Sequence, residues 1–303
     1  MCSDTPHYTD AGAPDGEAAR SISTEAKVWD ETGHHGGLCE RVEDILTKVV
    51  PVVREVTELD LPPLVVFRIV DPETWQAESE ADLTELVGRY RQQLPRWKAP
   101  AINVMERMVV SRLREVAPLL GGVLVMGATT AVGPVGLSSR TMLVPEALEH
   151  SGALHPGSHY LTQVVAHELV HHAQNLATGR RKVWADSIPA ALLGTTAIKL
   201  VEEGHAYWAD QEVTRRLFAE PKDIRTAPSS VRSDAYEAAL KDKRIARMRR
   251  RDTYAEGRRL VAAAIDAVGI SPFNQVWTDV ELLPTKHELR QHEKWVGRLS
   301  GLR

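Results

Sequence analysis

Residues 158–179 have the sequence SHYLTQVVAHELVHHAQNLATG, and the rest of the predicted fold is arranged around them. Apolar residues recur in this stretch at the three- and four-residue intervals that bring them to one side of an α-helix. Ser158 is a residue type that caps helix N-termini, and Gly179 is the type that ends helices. The pattern predicts one helix whose apolar flank consists of Leu161, Val164, Val165, Leu169 and Ala173.

The same predicted helix contains His167-Glu168-Leu169-Val170-His171. Histidines four residues apart lie one helical turn apart, so their imidazoles can converge on one ion about 2.0–2.1 Å from each nitrogen. Glu168 is displaced by about 100° around the helix, where its carboxylate can reach a water on the ion rather than the ion itself. Single buried histidines are ordinary, but here two histidines and a glutamate coincide. The spacing predicts a zinc site with His167 and His171 as ligands and Glu168 as general base.

A catalytic zinc ion takes three protein ligands and keeps a fourth position for water, so a second element must supply a ligand. Residues 199–210, KLVEEGHAYWAD, are predicted to form an amphipathic helix with acidic residues. Its small Gly204 would let it approach the first helix closely. Glu202, Glu203 and His205 are the candidate ligands within it.

The two segments HELVHHAQ (167–174) and EGHAYW (203–208) together resemble the gluzincin branch of the zincin metallopeptidases. In several gluzincin families the third ligand is the glutamate of an E-G-x-A helix, and by this resemblance alone Glu203 is the third ligand. The chain is also similar to a bacterial zincin-like family associated with coenzyme F420 biosynthesis, which has a glycine-rich segment and an apolar strand ahead of its HExxH helix. The resemblance covers residues 120–215.

One position departs from the family pattern. Thermolysin-like enzymes have an aspartate four residues after the glutamate ligand, where it orients a zinc histidine, and here that position holds Tyr207. Asp210, two turns beyond Glu203, is the alternative partner for a zinc histidine. Hydrolysis also needs a donor to the developing oxyanion. Tyr207 is the first choice for this catalytic role, with His205 and His172 as alternatives.

The first forty residues differ in composition from the rest. Residues 1–40 are rich in Gly, Ala, Ser, Thr and Asp, which predicts a disordered leader. Residues 41–303 are predicted to form a zincin-like catalytic domain of the α+β class, mostly helical. Its part 41–150 is expected to contain a small sheet ahead of the active-site helix, and its helical part 151–303 is expected to carry the metal site.

Two segments are predicted strands of that sheet, at 64–70 and 140–145, because both are rich in β-branched or apolar residues and end at prolines. The glycine-rich stretch 121–136 fits either a sheet with tight turns or a close-packed Gly/Ala helix.

Composition excludes several classes of protein. A content of 43% hydrophobic and 26% charged residues is that of a globular chain, not of a fibrous, disordered or membrane-bundle protein. The two cysteines, Cys2 and Cys39, provide no disulfide framework, and the start has no secretory signal pattern, which predicts a cytoplasmic protein. A net charge of -4 gives no general attraction to nucleic acid or anionic lipid.

These features predict a zinc-dependent hydrolase, a metallopeptidase that cleaves a peptide or amide bond by attack of zinc-bound water. Its cofactor would be Zn2+ and its partner a peptide or small amide substrate. Two alternatives stay open. One is an amidohydrolase acting on a small metabolite. The other is a non-enzymatic scaffold that zinc stabilises, with the basic segment 241–259 docking a partner; this segment lacks a known DNA-binding motif, so nucleic acid is not favoured.

Overall fold

The computed structural model describes residues 23–93, 97, 99–132, 138–179, 197–219, 231–248 and 253–301. Over these residues the chain is mostly helical and has a four-stranded sheet. The predicted mostly helical α+β class is therefore confirmed. Every helix in the described part is too short or too polar to serve as a membrane span.

The sheet combines parallel strands with an antiparallel strand at one edge. Its strands are β1 (Glu25–Asp30), β2 (Leu64–Ile69), β3 (Gly127–Val132) and β4 (Ser138–Leu143). They lie in the order β1, β2, β4, β3, with β2 parallel to both of its neighbours and β3 antiparallel to β4. In the β3–β4 register Thr129 is directly opposite Thr141. Because β3 is last in this order, it forms one edge of the sheet.

Helices make up most of the remaining described residues. They are α1 (Gly36–Thr57), α2 (Pro72–Gln93), α3 (Ala99–Leu119), α4 (Pro145–His150), α5 (Tyr160–Thr178), α6 (Ala197–Phe218), α7 (Asp234–Lys241), α8 (Lys243–Met248), α9 (Thr253–Val268), α10 (Ile270–Phe273) and α11 (His292–Ser300). Helix α5 is the predicted active-site helix, and it ends at Gly179 in the left-handed conformation, with φ of 52°. It starts at Tyr160, whose N–H donates to Ser158 Oγ.

The two strands predicted at 64–70 and 140–145 are observed as β2 and β4. The stretch 121–136 contains strand β3, which follows a short π-helical turn at Leu120–Leu124. Of its two interpretations, the sheet is therefore the one observed for residues 127–132, and residues 133–137 lie outside the described part.

The predicted leader is wrong for residues 23–40. Strand β1 pairs in parallel with β2 along all six of its residues, and α1 begins at Gly36. The Asp30 carboxylate accepts hydrogen bonds from the N–H groups of Thr32, Gly33 and His35, which shapes the turn between β1 and α1. Val28 is the only fully buried side chain of this strand, so its sequence EAKVWD has no need of the alternating apolar residues that predict a strand. Residues 1–22 lie outside the described part.

Helix α5 is covered on both sides. Its apolar flank joins a core built with the sheet, α1 and α6, whose fully buried members include Val49, Phe67, Leu161, Val165, Leu169 and Val213. Polar residues of α5 are enclosed as well, since Gln163 and His172 have no exposed surface. Buried polar groups need hydrogen-bond partners, and those partners form the candidate site.

Helices α6 and α9 cross with their backbones in contact. A Cβ built on Gly204 would overlap the backbone carbonyl of Gly257, and a Cβ on Gly257 would overlap the carbonyl oxygen of Leu200. Gly204 is predicted to let α6 approach α5 closely. It does permit a close approach, but the neighbouring helix is α9. This crossing anchors α6 to the second core cluster, which includes Leu260, Phe273, Trp277 and Trp295.

The crossing predicts a large effect of one methyl group. We expect Gly204→Ala to destabilise the protein by about 3 kcal/mol, because the obstructing atoms are backbone and cannot rotate away. The matched control is Gly297→Ala in α11, where an added Cβ meets nothing within 4 Å. It should change stability by about 1 kcal/mol at most, towards stabilisation. Urea unfolding followed by circular dichroism measures both, and equal midpoints would contradict the close crossing.

Candidate metal centre

Helix α5 turns two imidazoles towards each other. The Nε2 atoms of His167 and His171 are 3.3 Å apart, and the ring planes are nearly perpendicular, at 81°. This arrangement follows from the four-residue spacing on a regular helix. Both rings are mostly buried, with side-chain exposures of 8% for His167 and 17% for His171.

Helix α6 brings a carboxylate to the same point. Glu203 Oε2 is 3.5 Å from His167 Nε2 and 3.9 Å from His171 Nε2. Among the described residues, His167, His171 and Glu203 form a group whose potential ligand atoms all lie within 4.8 Å of one another. Of the two adjacent glutamates, the structure brings Glu203 into the group, while Glu202 faces α5 with its main-chain oxygen, which accepts a hydrogen bond from Gln174.

The donor set fits a zinc ion. Two ligands at about 2.0–2.1 Å from zinc and at the tetrahedral angle lie roughly 3.3 Å apart, which is the separation of the two Nε2 atoms. The Nδ1 atoms of both histidines are occupied by hydrogen bonds to acceptors, so in the neutral rings both Nε2 atoms carry lone pairs. Two facing lone pairs beside a carboxylate form a pocket of negative potential, and a cation satisfies it.

Asp210 orients the first histidine. Its Oδ2 accepts from His167 Nδ1 at 2.9 Å, and its Oδ1 accepts from Gln163 Nε2 at 2.9 Å. Asp210 has no exposed surface, so these bonds form in a dry environment, where they are strong. A carboxylate on the outer nitrogen fixes the tautomer of a metal-binding histidine. Where thermolysin-like enzymes have an aspartate, this chain has Tyr207, and Asp210, three residues later, makes the contact instead.

Gln174 orients the second histidine. Its Oε1 accepts from His171 Nδ1 at 2.8 Å, and its Nε2 donates to the Glu202 main-chain oxygen and to His205 Nδ1, each at 3.0 Å. His205 is completely buried and its ring contacts Trp208, Phe273 and Trp277. Gln174 therefore ties α5 to α6 beside His171, as Asp210 does beside His167.

The charges of the cluster support each other. Burial lowers the pKa of His167, but the hydrogen bonds to Asp210 and Glu203 outweigh it and raise that pKa to about 10. Burial raises the pKa of Glu203, but the bond to His167 and the nearby charge of His171 outweigh it and lower that pKa to about 2. In the metal-free protein a proton on His167 thus offsets part of the negative charge that a metal ion would neutralise.

Glu168 lies beside the cluster and against the edge strand. Thr129 Oγ1 donates to Glu168 Oε2 at 2.7 Å. A Cβ on Gly127 would lie 2.8 Å from both Cγ and Oε1 of Glu168, so only glycine leaves room for this carboxylate. Glu168 is 7% exposed, and the group of converging ligand atoms does not include it. Glu168 therefore lies beside the candidate metal ligands without being one of them.

The three candidate oxyanion donors are all buried. Tyr207 is 2% exposed, and His172 and His205 have no exposed surface. Burial lowers the pKa of His172 and that of His205 to about 3, so both rings are neutral near pH 7. Nδ1 of His205 contacts Gln174, and Nε2 of His172 contacts Thr141. The oxyanion role of Tyr207 stays a prediction.

Sequence reasoning missed three residues that surround the cluster: Gln163, Gln174 and Thr129. Gln163 and Gln174 had a usable signal, because they lie four residues before His167 and three after His171, on the faces of α5 that meet α6. Thr129 had none, because its contact with Glu168 depends on how the β3 edge packs against α5.

Comparison with known proteins gives a family match over about a third of the chain and a likeness in fold. A family model described as zincin-like metallopeptidase matches residues 193–296, 104 of the 303 residues, and the matched region contains Glu203 but neither cluster histidine. The crystal structure of a proposed hydrolase with a novel fold from Chloroflexus aurantiacus superposes with a TM-score of 0.52. The two chains are 17% identical, with 88% of this chain and 91% of that chain covered, so the likeness concerns the fold alone. Comparison with curated proteins finds no significant match.

These findings support a zinc hydrolase in general terms. Over residues 193–296 the chain resembles the zincin-like metallopeptidases, and its cluster of His167, His171 and Glu203 is consistent with a zinc site.

Proposed function

We propose that this protein is a zinc-dependent hydrolase of the metallopeptidase type. The observation that carries the proposal is the convergence of two imidazole nitrogens and one carboxylate oxygen, with Glu168 directly beside them. His167, His171 and Glu203 would hold the ion. When bound, zinc supplies Lewis acidity towards a carbonyl and lowers the pKa of a coordinated water towards about 7.

Glu168 is the proposed general base. It takes the proton of the attacking water and returns it to the leaving amine, which is work that a carboxylate next to, but not on, the metal can do. Its charge also acts on His167 by raising the pKa of that ring. Tyr207, four residues after Glu203, is the proposed donor to the oxyanion.

An extended peptide is the substrate that the sheet best accommodates. Strand β3 is last in the strand order, so one side of its main chain has no partner strand among the described residues. Its first residues, Gly127 and Thr129, contact the proposed base. A peptide that added to this edge by main-chain hydrogen bonds would run past Glu168. A small amide metabolite would gain nothing from the strand edge.

Adjacent glutamates provide a matched test of the metal site. Glu203→Gln should weaken zinc binding by more than the roughly 10- to 100-fold that is lost when an outer hydrogen-bond partner is removed. Glu202→Gln should bind zinc nearly as wild type does. Competition with a chromophoric chelator measures both affinities. Equal losses, or a larger loss for Glu202→Gln, would reject Glu203 as a ligand.

Removing the base should separate binding from chemistry. We expect Glu168→Gln to keep its zinc and to lose peptide hydrolysis by roughly 10²- to 10⁴-fold, since the amide cannot accept the proton. Metal analysis and a broad peptide library, assayed on wild type and variant together, give the result. A zinc-loaded wild type that cleaves nothing would favour the scaffold alternative.

Zinc binding should release a proton. Because the pKa of His167 is raised to about 10, the ring is protonated near pH 7 in the metal-free protein and must become neutral to bind. The zinc affinity should therefore rise by up to about tenfold per pH unit between pH 6 and 8. Calorimetry in buffers of different ionisation enthalpy counts the protons. In Asp210→Asn fewer should be released, and an unchanged count would contradict the role of Asp210.

A further inference from the structure

A continuous chain of side-chain hydrogen bonds runs from Glu168 through the sheet to a buried histidine. Glu168 Oε2 is 2.7 Å from Thr129 Oγ1, Thr129 Oγ1 is 2.6 Å from Thr141 Oγ1, and Thr141 Oγ1 is 2.9 Å from His172 Nε2. Thr129 and Thr141 are directly opposite in the β3–β4 register, so both hydroxyls project from one face of the sheet towards α5. His172 is four residues after Glu168 on the same helix.

The chemistry of the groups sets the direction of this chain. An ionised carboxylate only accepts, so Thr129 donates its single hydroxyl proton to Glu168. Thr129 must then accept from Thr141, whose own proton is thereby used. The remaining contact requires His172 to donate from Nε2, which leaves Nδ1 as the bare nitrogen of the neutral ring.

The surroundings of His172 agree with this direction. Its Nδ1 is buried, and the described residues offer it no hydrogen-bond partner. A buried acceptor without a partner is tolerated more often than a buried N–H without one. The Nε2–H form is therefore the less costly tautomer at this position. Stacking on Phe67, with ring centroids 5.8 Å apart, holds the ring in place.

We infer that Thr129, Thr141 and His172 are positioning residues that orient the Glu168 carboxylate. The chain holds Oε2 against the edge strand, and Gly127 leaves the space that the carboxylate occupies. Glu168 is thereby kept beside the metal ligands without joining them. This inference rests on the proposed function, because the orientation matters only if Glu168 acts as a base.

The direction of the chain can be tested without any substrate. In zinc-loaded protein labelled with nitrogen-15 histidine, we expect NMR to show His172 protonated on Nε2 and bare on Nδ1. Thr129→Ser should keep this form. Thr129→Val takes the acceptor away from Thr141, so the Nδ1–H form should gain population. A wild-type His172 protonated on Nδ1 would overturn the inference, because Thr141 would then donate to the ring and could not donate to Thr129.

The effect on Glu168 is tested by kinetics on the same proteins. Thr129→Val should lower kcat by roughly 10- to 100-fold, as expected for a misplaced catalytic group, with KM, zinc content and unfolding midpoint near wild type. Thr129→Ser, which retains the hydroxyl, should recover most of kcat. The matched control is Thr130→Val, because alternate residues of a strand face opposite sides of the sheet. It should leave kcat unchanged.

The two experiments fail in different ways. If Thr129→Val is as active as wild type, or if Thr129→Ser is as impaired as Thr129→Val, the positioning role is rejected while the proposed function stands. If the wild type hydrolyses no peptide, the proposed function fails, and the tautomer of His172 still decides whether the chain runs in the inferred direction.

Discussion

The constraint on which this structure depends is the burial of α5 on both sides. The sheet, α1 and α6 pack around it, so most of its polar side chains are buried. Each must find a partner inside the protein or incur a desolvation penalty. The outer nitrogens of His167 and His171 find Asp210 and Gln174, and this leaves their inner nitrogens facing each other. The geometry of the candidate metal site thus follows from the hydrogen bonds that the buried histidines of α5 must make.

Helix α6 supplies the complement to α5. Glu203 and Asp210 lie two turns apart on it, so that one carboxylate reaches the inner side of His167 and the other its outer side. Its close crossing with α9 at Gly204 fixes the position of α6. The metal site therefore depends on a backbone contact at the residue adjacent to its glutamate.

The arrangement of charge favours a divalent cation. Glu168, Glu203 and Asp210 surround two imidazoles in a largely buried pocket, and the hydrogen bonds of Asp210 and Glu203 to His167 raise the pKa of that ring. Unpaired negative charge is costly in a region of low dielectric, so this carboxylate-rich pocket favours a bound cation. A zinc ion would neutralise this charge in a way that a monovalent cation could not.

Features with a local signal could be predicted from the sequence: helix α5 with its end at Gly179, strands β2 and β4, and the spacing of His167, Glu168 and His171. Each of these features depends on the pattern of residue types within one continuous segment. Strand β1 has too little apolar content to be recognised without β2 beside it, and which of the two adjacent glutamate side chains meets the histidines of α5 depends on the rotation of α6 about its axis. Only the tertiary structure decided these, together with the Thr129 contact to Glu168, because each depends on atoms brought together by packing between segments far apart in the chain.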